Sequence, residues 1–175
     1  MAEYHFNLPP FNNLNPSQQT AVTDNNAIAL SGGPGTGKSV VSLWRHILNH
    51  QREHPINSQL LTFTTSLALY LKKCCSTQNT NASRYVDSSL NWIFHHANRR
   101  AEIIHDEAQD VKLSINLNLN EFSEKFSYGA DNRQLITSHA LNQDGSYNIE
   151  TCSPEESLMK EFPKNSFHEL SRNYR

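Results

Sequence analysis

The chemistry in this chain concentrates in two short stretches. The first, Leu30-Ser31-Gly32-Gly33-Pro34-Gly35-Thr36-Gly37-Lys38-Ser39, fits the phosphate-binding pattern G-x-x-x-x-G-K-[ST] at every fixed position. Its glycines let the backbone turn tightly and aim several N–H groups at one anion. The helix that opens near Gly37 adds its positive dipole end and its unpaired first amides. Lys38 is placed to reach β- and γ-phosphates, and the Ser39 hydroxyl to bind a Mg²⁺ ion that bridges them. The expected nucleotide contacts are Gly32, Gly33, Pro34, Gly35, Thr36, Gly37, Lys38, Ser39 and Val40.

The second stretch is Ala101-Glu102-Ile103-Ile104-His105-Asp106-Glu107-Ala108-Gln109-Asp110, an apolar strand that ends in two carboxylates. A carboxylate is a hard oxygen ligand, so Asp106 is the expected partner of Ser39 in holding Mg²⁺. Glu107 is expected to orient and deprotonate an attacking water. Consecutive residues at a strand end point to different sides, which suits two separate tasks. Gln109 and Asp110 are placed to couple that chemistry to neighbouring elements.

Three shorter stretches add candidates. Asn15-Pro16-Ser17-Gln18 reads as an N-cap, a proline at the first helical position and a capping-box partner. The Gln18 amide, both donor and acceptor, can also pair with the edge of an adenine. Thr64 and Thr65 stand at the tip of a predicted strand over 59–63. They either cap a helix or offer hydroxyls to a nucleic-acid phosphate. Asp131-Asn132-Arg133-Gln134 follows another predicted strand, where Gln134 can sense a γ-phosphate; a plain polar turn fits equally well.

The elements that must position these residues alternate strand and helix. An apolar strand over 27–30 precedes the glycine loop. A helix over 40–48 places Val40, Val41, Trp44, Ile47 and Leu48 on one face. The stretch 50–58 reads as a loop, 67–75 as a helix, and 76–84 as polar and exposed. Residues 85–97 read as a short helix or a strand plus a helix, with Trp92 buried rather than stacked on a base. His95-His96 and Arg99-Arg100 form a basic cluster whose default explanation is a solvated turn. Residues 111–119 alternate like a strand, yet Ile115, Leu119, Phe122 and Phe126 make a helical stripe. Parallel strands need a crossover, so a helix is expected there, then a strand over 126–130. Ser153-Pro154-Glu155-Glu156 opens a helix to about 162, and 167–170 is a short strand.

Composition bounds the reading. At 175 residues the chain is expected to form one domain with a sizeable core. A net charge of −2 leaves no global basic signature, so nucleic-acid contacts must come from a local groove. No stretch approaches the roughly 20 apolar residues needed to cross a membrane. The first residues lack the pattern of a signal peptide. Cys74, Cys75 and Cys152 make no metal-ligand spacing, and free thiols point to the cytoplasm.

Taken in order, residues 14–18, 32–39, 61–65, 106–110, 131–134 and 173–175 resemble the UvrD/Rep-type superfamily I helicases, specifically their first RecA-like domain. The residues DEAQD and the terminal NYR carry most of that discrimination. The resemblance covers about residues 11–175. It implies an α/β RecA-like P-loop NTPase domain, a parallel β-sheet with helices on both faces. It also implies ATP and Mg²⁺ as cofactors, single-stranded DNA or RNA as a partner, and a second RecA-like domain in cis or in trans. Residue by residue it implies adenine reading by Gln18, nucleotide and metal binding by Lys38 and Ser39, and strand contacts by Thr64 and Thr65. Asp106 matches the metal ligand, Glu107 the catalytic base and Gln134 the γ-phosphate sensor. Arg175 matches the arginine that stabilises charge on the transferred phosphoryl group, an effect of roughly 10³–10⁵ in rate in such systems.

The sequence departs from that family in three places. His105 stands where an aliphatic residue is usual, which predicts a wetter strand end. Ala130 separates Gly129 from Asp131, where many relatives join Gly and Asp directly. The interval between Thr65 and Asp106 is short for a large inserted domain. With the chain ending at Arg175, the expectation is a single RecA-like domain over 1–175, the N-terminal part of a longer helicase or half of a split one. A nucleotide-binding regulatory module and a stand-alone P-loop NTPase are the two other readings.

Overall fold

The structure is a computed structural model that describes residues 8–131 and 153–171. The expected roles of Gln134 and Arg175 fall outside the described residues. Within them the chain alternates strand and helix as the hydrophobic pattern predicts. The strands are β1 (Ile28–Ser31), β2 (Ser58–Thr62), β3 (Val86–Ser88), β4 (Arg100–His105), β5 (Ser123–Ala130) and β6 (Ser166–Glu169). The helices are α1 (Pro16–Thr23), α2 (Lys38–Gln51), α3 (Thr65–Ser76), α4 (Thr80–Ser83), α5 (Ser89–His95), α6 (Leu113–Glu121) and α7 (Pro154–Glu161).

All paired strands run parallel, in the order β3-β2-β4-β5-β1-β6. Alternate residues of each strand feed opposite faces, as a period of two requires. Ile28, Leu30, Leu60 and Ile104 pack with Val41, Leu43, Trp44 and Ile47 of α2 and with Leu71 of α3. Ala29, Leu61, Ile103, Phe126 and Tyr128 pack on the other side with Trp92 of α5, Leu119 of α6 and Leu158 of α7. Each fully buried Leu or Ile of these layers contributes roughly 1.5–3 kcal/mol by leaving water. Two covered faces account for consecutive apolar residues such as Leu60-Leu61 and Ile103-Ile104, one for each face.

Local signals set most boundaries. Asn15 caps α1, its Oδ1 accepting from the Gln18 amide at 2.9 Å, and the Gln18 side chain accepts from Asn15 N at 3.1 Å. Ser153 and Glu156 make the same reciprocal box at α7. Thr64 caps α3, its hydroxyl accepting from Leu67 N at 3.2 Å. The ambiguous stretch after Asp110 is helical, as the crossover argument requires.

Two expectations are refined. Residues 76–84 are largely exposed as expected, but α4 lies within them, and Ala82 and Ser83 are buried. The cause is His46, buried on α2, whose ring lies 2.9 Å from the Ala82 carbonyl and 2.8 Å from Ser58 Oγ. A carbonyl only accepts, so His46 Nε2 carries the proton and Nδ1 accepts from Ser58. The strand expected over 126–130 begins earlier, at Ser123, where β4 pairs with it from Arg100 onward.

Candidate functional site

Sheet order places the site. The glycine loop leaves the end of β1 and the acidic pair leaves the end of β4. Strand β5 lies between them and ends on Gly129-Ala130-Asp131. Both chemical stretches therefore meet at the carboxyl ends of the strands, flanking one neighbour, where open parallel sheets hold ligands.

The loop is built to hold an anion. Thr36 closes it, its amide at 3.3 Å and its hydroxyl at 2.8 Å from the Gly33 carbonyl. Gly37 takes φ 91°, a conformation that strains any residue with a side chain. It caps α2 with no side chain, so the first amides of that helix are left for a ligand. Lys38 is buried, and its ammonium donates to the Gly32 carbonyl at 2.7 Å. The same nitrogen lies 3.8 Å from Asp131 Oδ2.

Asp106 is fully buried beside them, with Ser42 donating to Oδ1 at 3.4 Å. A Cβ added at Gly129 would stand 3.3 Å from Asp106 Oδ1 and 3.8 Å from Lys38 Cβ, so both residues converge on the one point where β5 carries no side chain. Burial pushes the Asp106 carboxyl up to about 7, and the neighbouring Glu107 charge adds to the rise. The Ser39 and Ser42 hydroxyls and the Lys38 charge oppose it. Asp106 Oδ2 is buried with no hydrogen-bond partner. A buried carboxylate oxygen without a donor is costly unless a cation meets it. The oxygen donors Asp106 and Ser39, with Lys38 alongside, thus fit a hard divalent ion such as Mg²⁺.

Glu107 sits differently. It is half-buried and adopts φ 58°, the one left-handed residue other than glycine among the described residues. Such a conformation costs on the order of 1–3 kcal/mol and persists only where the surroundings enforce it. Its Oε2 accepts from Gln109 Nε2 at 2.5 Å, while Gln109 Oε1 accepts from the Asp131 amide at 3.2 Å. Gln109 thereby ties Glu107 to the end of β5.

Gln18 is placed beside the loop, and each of its amide atoms makes one hydrogen bond. Nε2 donates to the Thr36 carbonyl at 2.8 Å, and Oε1 accepts from Asn15. The side chain is fully buried. Beyond these two bonds Nε2 keeps a second N–H and Oε1 a second lone pair. His105 corrects the expectation of a wetter strand end. It is fully buried, its Nδ1 lies 2.6 Å from Asn116 Oδ1, and Asn116 in turn donates to the Ala108 carbonyl at 3.0 Å. Burial lowers its pKa to about 4 and keeps the ring neutral. Thr64 is half-buried and Thr65 exposed after β2, on the same edge of the sheet as the loop. Sequence reading did not find Ser42, Asp131 as a partner of Lys38, or Asn116. Each acts through a contact between distant segments and belongs to no local pattern.

No protein-family model matches the sequence, and no curated protein matches it. Solved structures do match its fold. The chain is similar to the Pyrococcus furiosus Hef helicase domain at a TM-score of 0.57 and 10% identity, over 90% of this chain and 38% of that one. It is similar to the Sulfolobus solfataricus SWI2/SNF2 ATPase core in complex with dsDNA at 0.54 and 15%, over 91% and 44%. A third match is the Pif1 helicase from Candida albicans at 0.51 and 14%, over 92% and 40%. The chain spans about four-tenths of the length of these structures. The fold is α/β and RecA-like, a parallel sheet with helices on both faces. None of the described helices is long and apolar enough to cross a membrane.

Proposed function

We propose that this chain is the ATP-binding domain of a nucleic-acid motor, the first RecA-like domain of a UvrD-like superfamily I helicase or translocase. The convergence of Lys38 and Asp106 on the bare end of β5 carries the reading. The glycine loop from Gly32 to Val40 would wrap the phosphates of ATP, and Lys38 would leave the Gly32 carbonyl for the β- and γ-phosphates. Ser39 and Asp106 would hold Mg²⁺. When bound, that ion neutralises charge on the phosphate oxygens. Glu107, held by Gln109, would take the proton of an attacking water. Thr64 and Thr65 would face a single strand of DNA or RNA.

The same reading assigns Gln134 to the γ-phosphate and Arg175 to the transferred phosphoryl group. A second RecA-like domain, in cis or in trans, would close on the nucleotide, and the motor would work in the cytoplasm. ATP turnover with and without a single-stranded oligo(dT) tests this. The expected result is slow hydrolysis, stimulated by the strand and abolished by Lys38→Ala and by Glu107→Gln. Equal turnover in parent and both variants would contradict it.

A further inference from the structure

A second site lies at the opposite end of the strands. Gln59 and Arg100 stand near the start of β2 and β4, Arg84 and Tyr85 precede β3, and His95 and His96 close α5. With Lys72 of α3 they line a cleft of about 590 Å³. The chain as a whole carries a net charge of −2, yet Lys72, Arg84 and Arg100 all line this cleft with a single lining acid, Asp87. That acid is engaged: it accepts from Asn91 Nδ2 at 2.9 and 3.1 Å and from the Ser88 amide at 2.7 Å.

Arg100 is the fixed member. Its Nη1 donates to Asn57 Oδ1 at 2.6 Å, and its guanidinium lies 4.8 Å from the Tyr85 ring centroid. Its Nε is buried with no hydrogen-bond partner. A planar guanidinium anchored on the cleft wall matches the geometry of a phosphate or carboxylate. The two large lining aromatics are already engaged. Trp92 is buried, and Tyr85 is taken up by a stacked His50 at 5.1 Å as well as by Arg100. Neither is free as a stacking platform, so the fixed part of the lining offers charge.

We propose that this cleft is an anion site that holds phosphate groups of a polyanion, on the edge of the sheet opposite the glycine loop. The phosphates come either from a nucleic-acid backbone or from a free oligophosphate. A nucleic acid held here would contact the domain away from Thr64 and Thr65 and without sequence preference.

The test uses the full chain carrying Lys38→Ala, so that the glycine loop contributes little. Fluorescence anisotropy of a labelled oligo(dT) and calorimetric titration of sodium tripolyphosphate are compared with and without Lys72→Gln plus Arg84→Gln. Both side chains are exposed, and a thermal melt confirms the fold. Arg84→Gln alone serves as the milder variant. The double variant is expected to weaken binding at least tenfold. For the single strand, two lost phosphate contacts would flatten the log–log salt dependence by roughly 1.4. Loss confined to oligo(dT) identifies a nucleic-acid backbone, and loss confined to tripolyphosphate identifies the free anion. Unchanged binding of both ligands, or no binding by the parent, overturns the proposal.

Discussion

The Gln18 side-chain amide donates to the Thr36 carbonyl at 2.8 Å, joining the first turn of α1 to the phosphate loop. The contact is close enough that a Cβ at Gly37 would come within 2.5 Å of Gln18 Nε2. Gln18 thus braces the loop from behind. Replacing it with Ala removes the capping box and the brace together. Unfolding stability should fall by about 1–3 kcal/mol. Fluorescent ATP and GTP analogues should both weaken by the same factor. Selective loss of ATP alone would assign adenine reading to Gln18.

A buried ion pair gives a second prediction. Arg45 Nε donates to Glu102 Oε1 at 2.7 Å, and Arg45 also donates to the Asp24 and Asn26 carbonyls at 2.7 and 2.6 Å. Glu102 accepts further from Ser127 at 2.6 Å and Asn49 at 2.7 Å. Every charge in this network is met, so removing one partner strands the other. Glu102→Leu should cost about 3–5 kcal/mol in urea unfolding. Arg45→Met with Glu102→Leu should cost clearly less than Glu102→Leu alone. A double variant as unstable as the single one would show that packing, not charge, dominates.

The buried histidines set a pH dependence. Burial lowers His46 to about 3 and His105 to about 4, well below an ordinary histidine. Below pH 6.5 the unfolded chain takes up protons that the folded chain refuses. The stability they contribute is therefore present above that pH and lost as pH falls toward 4. Between pH 7.5 and 5.5 each histidine should cost about 1.4 kcal/mol. In His105→Leu the stability lost over that interval should shrink by that amount. An unchanged pH dependence would contradict a neutral buried ring.

Much of this was legible in the sequence. The glycine pattern, the acidic strand end and the Asn15 and Ser153 caps are local signals, and each reflects contacts within a few residues. Strand β4 showed itself through Ile103-Ile104, one for each covered face of the sheet. What escaped was long-range and polar. Arg45 and Glu102 look like ordinary surface charges in the sequence, and only the fold brings residues 57 positions apart to 2.7 Å. Residues 76–84 read as exposed from their polar composition, and most are, but the bond between His46 and the Ala82 carbonyl left no local signal. Gln18 was found at its place, but its bond to the Thr36 carbonyl was not, since a backbone acceptor has no side-chain signature.

Binding of a fluorescent ATP analogue to the full chain, with and without Mg²⁺, tests the central claim most directly. The account predicts saturable binding that tightens with Mg²⁺. Lys38→Ala should weaken it at least tenfold, and Asp106→Asn should erase the Mg²⁺ effect while circular dichroism shows both variants folded. Folded variants that bind as tightly as the parent, with the same response to Mg²⁺, would contradict a nucleotide site at the meeting point of β1, β4 and β5.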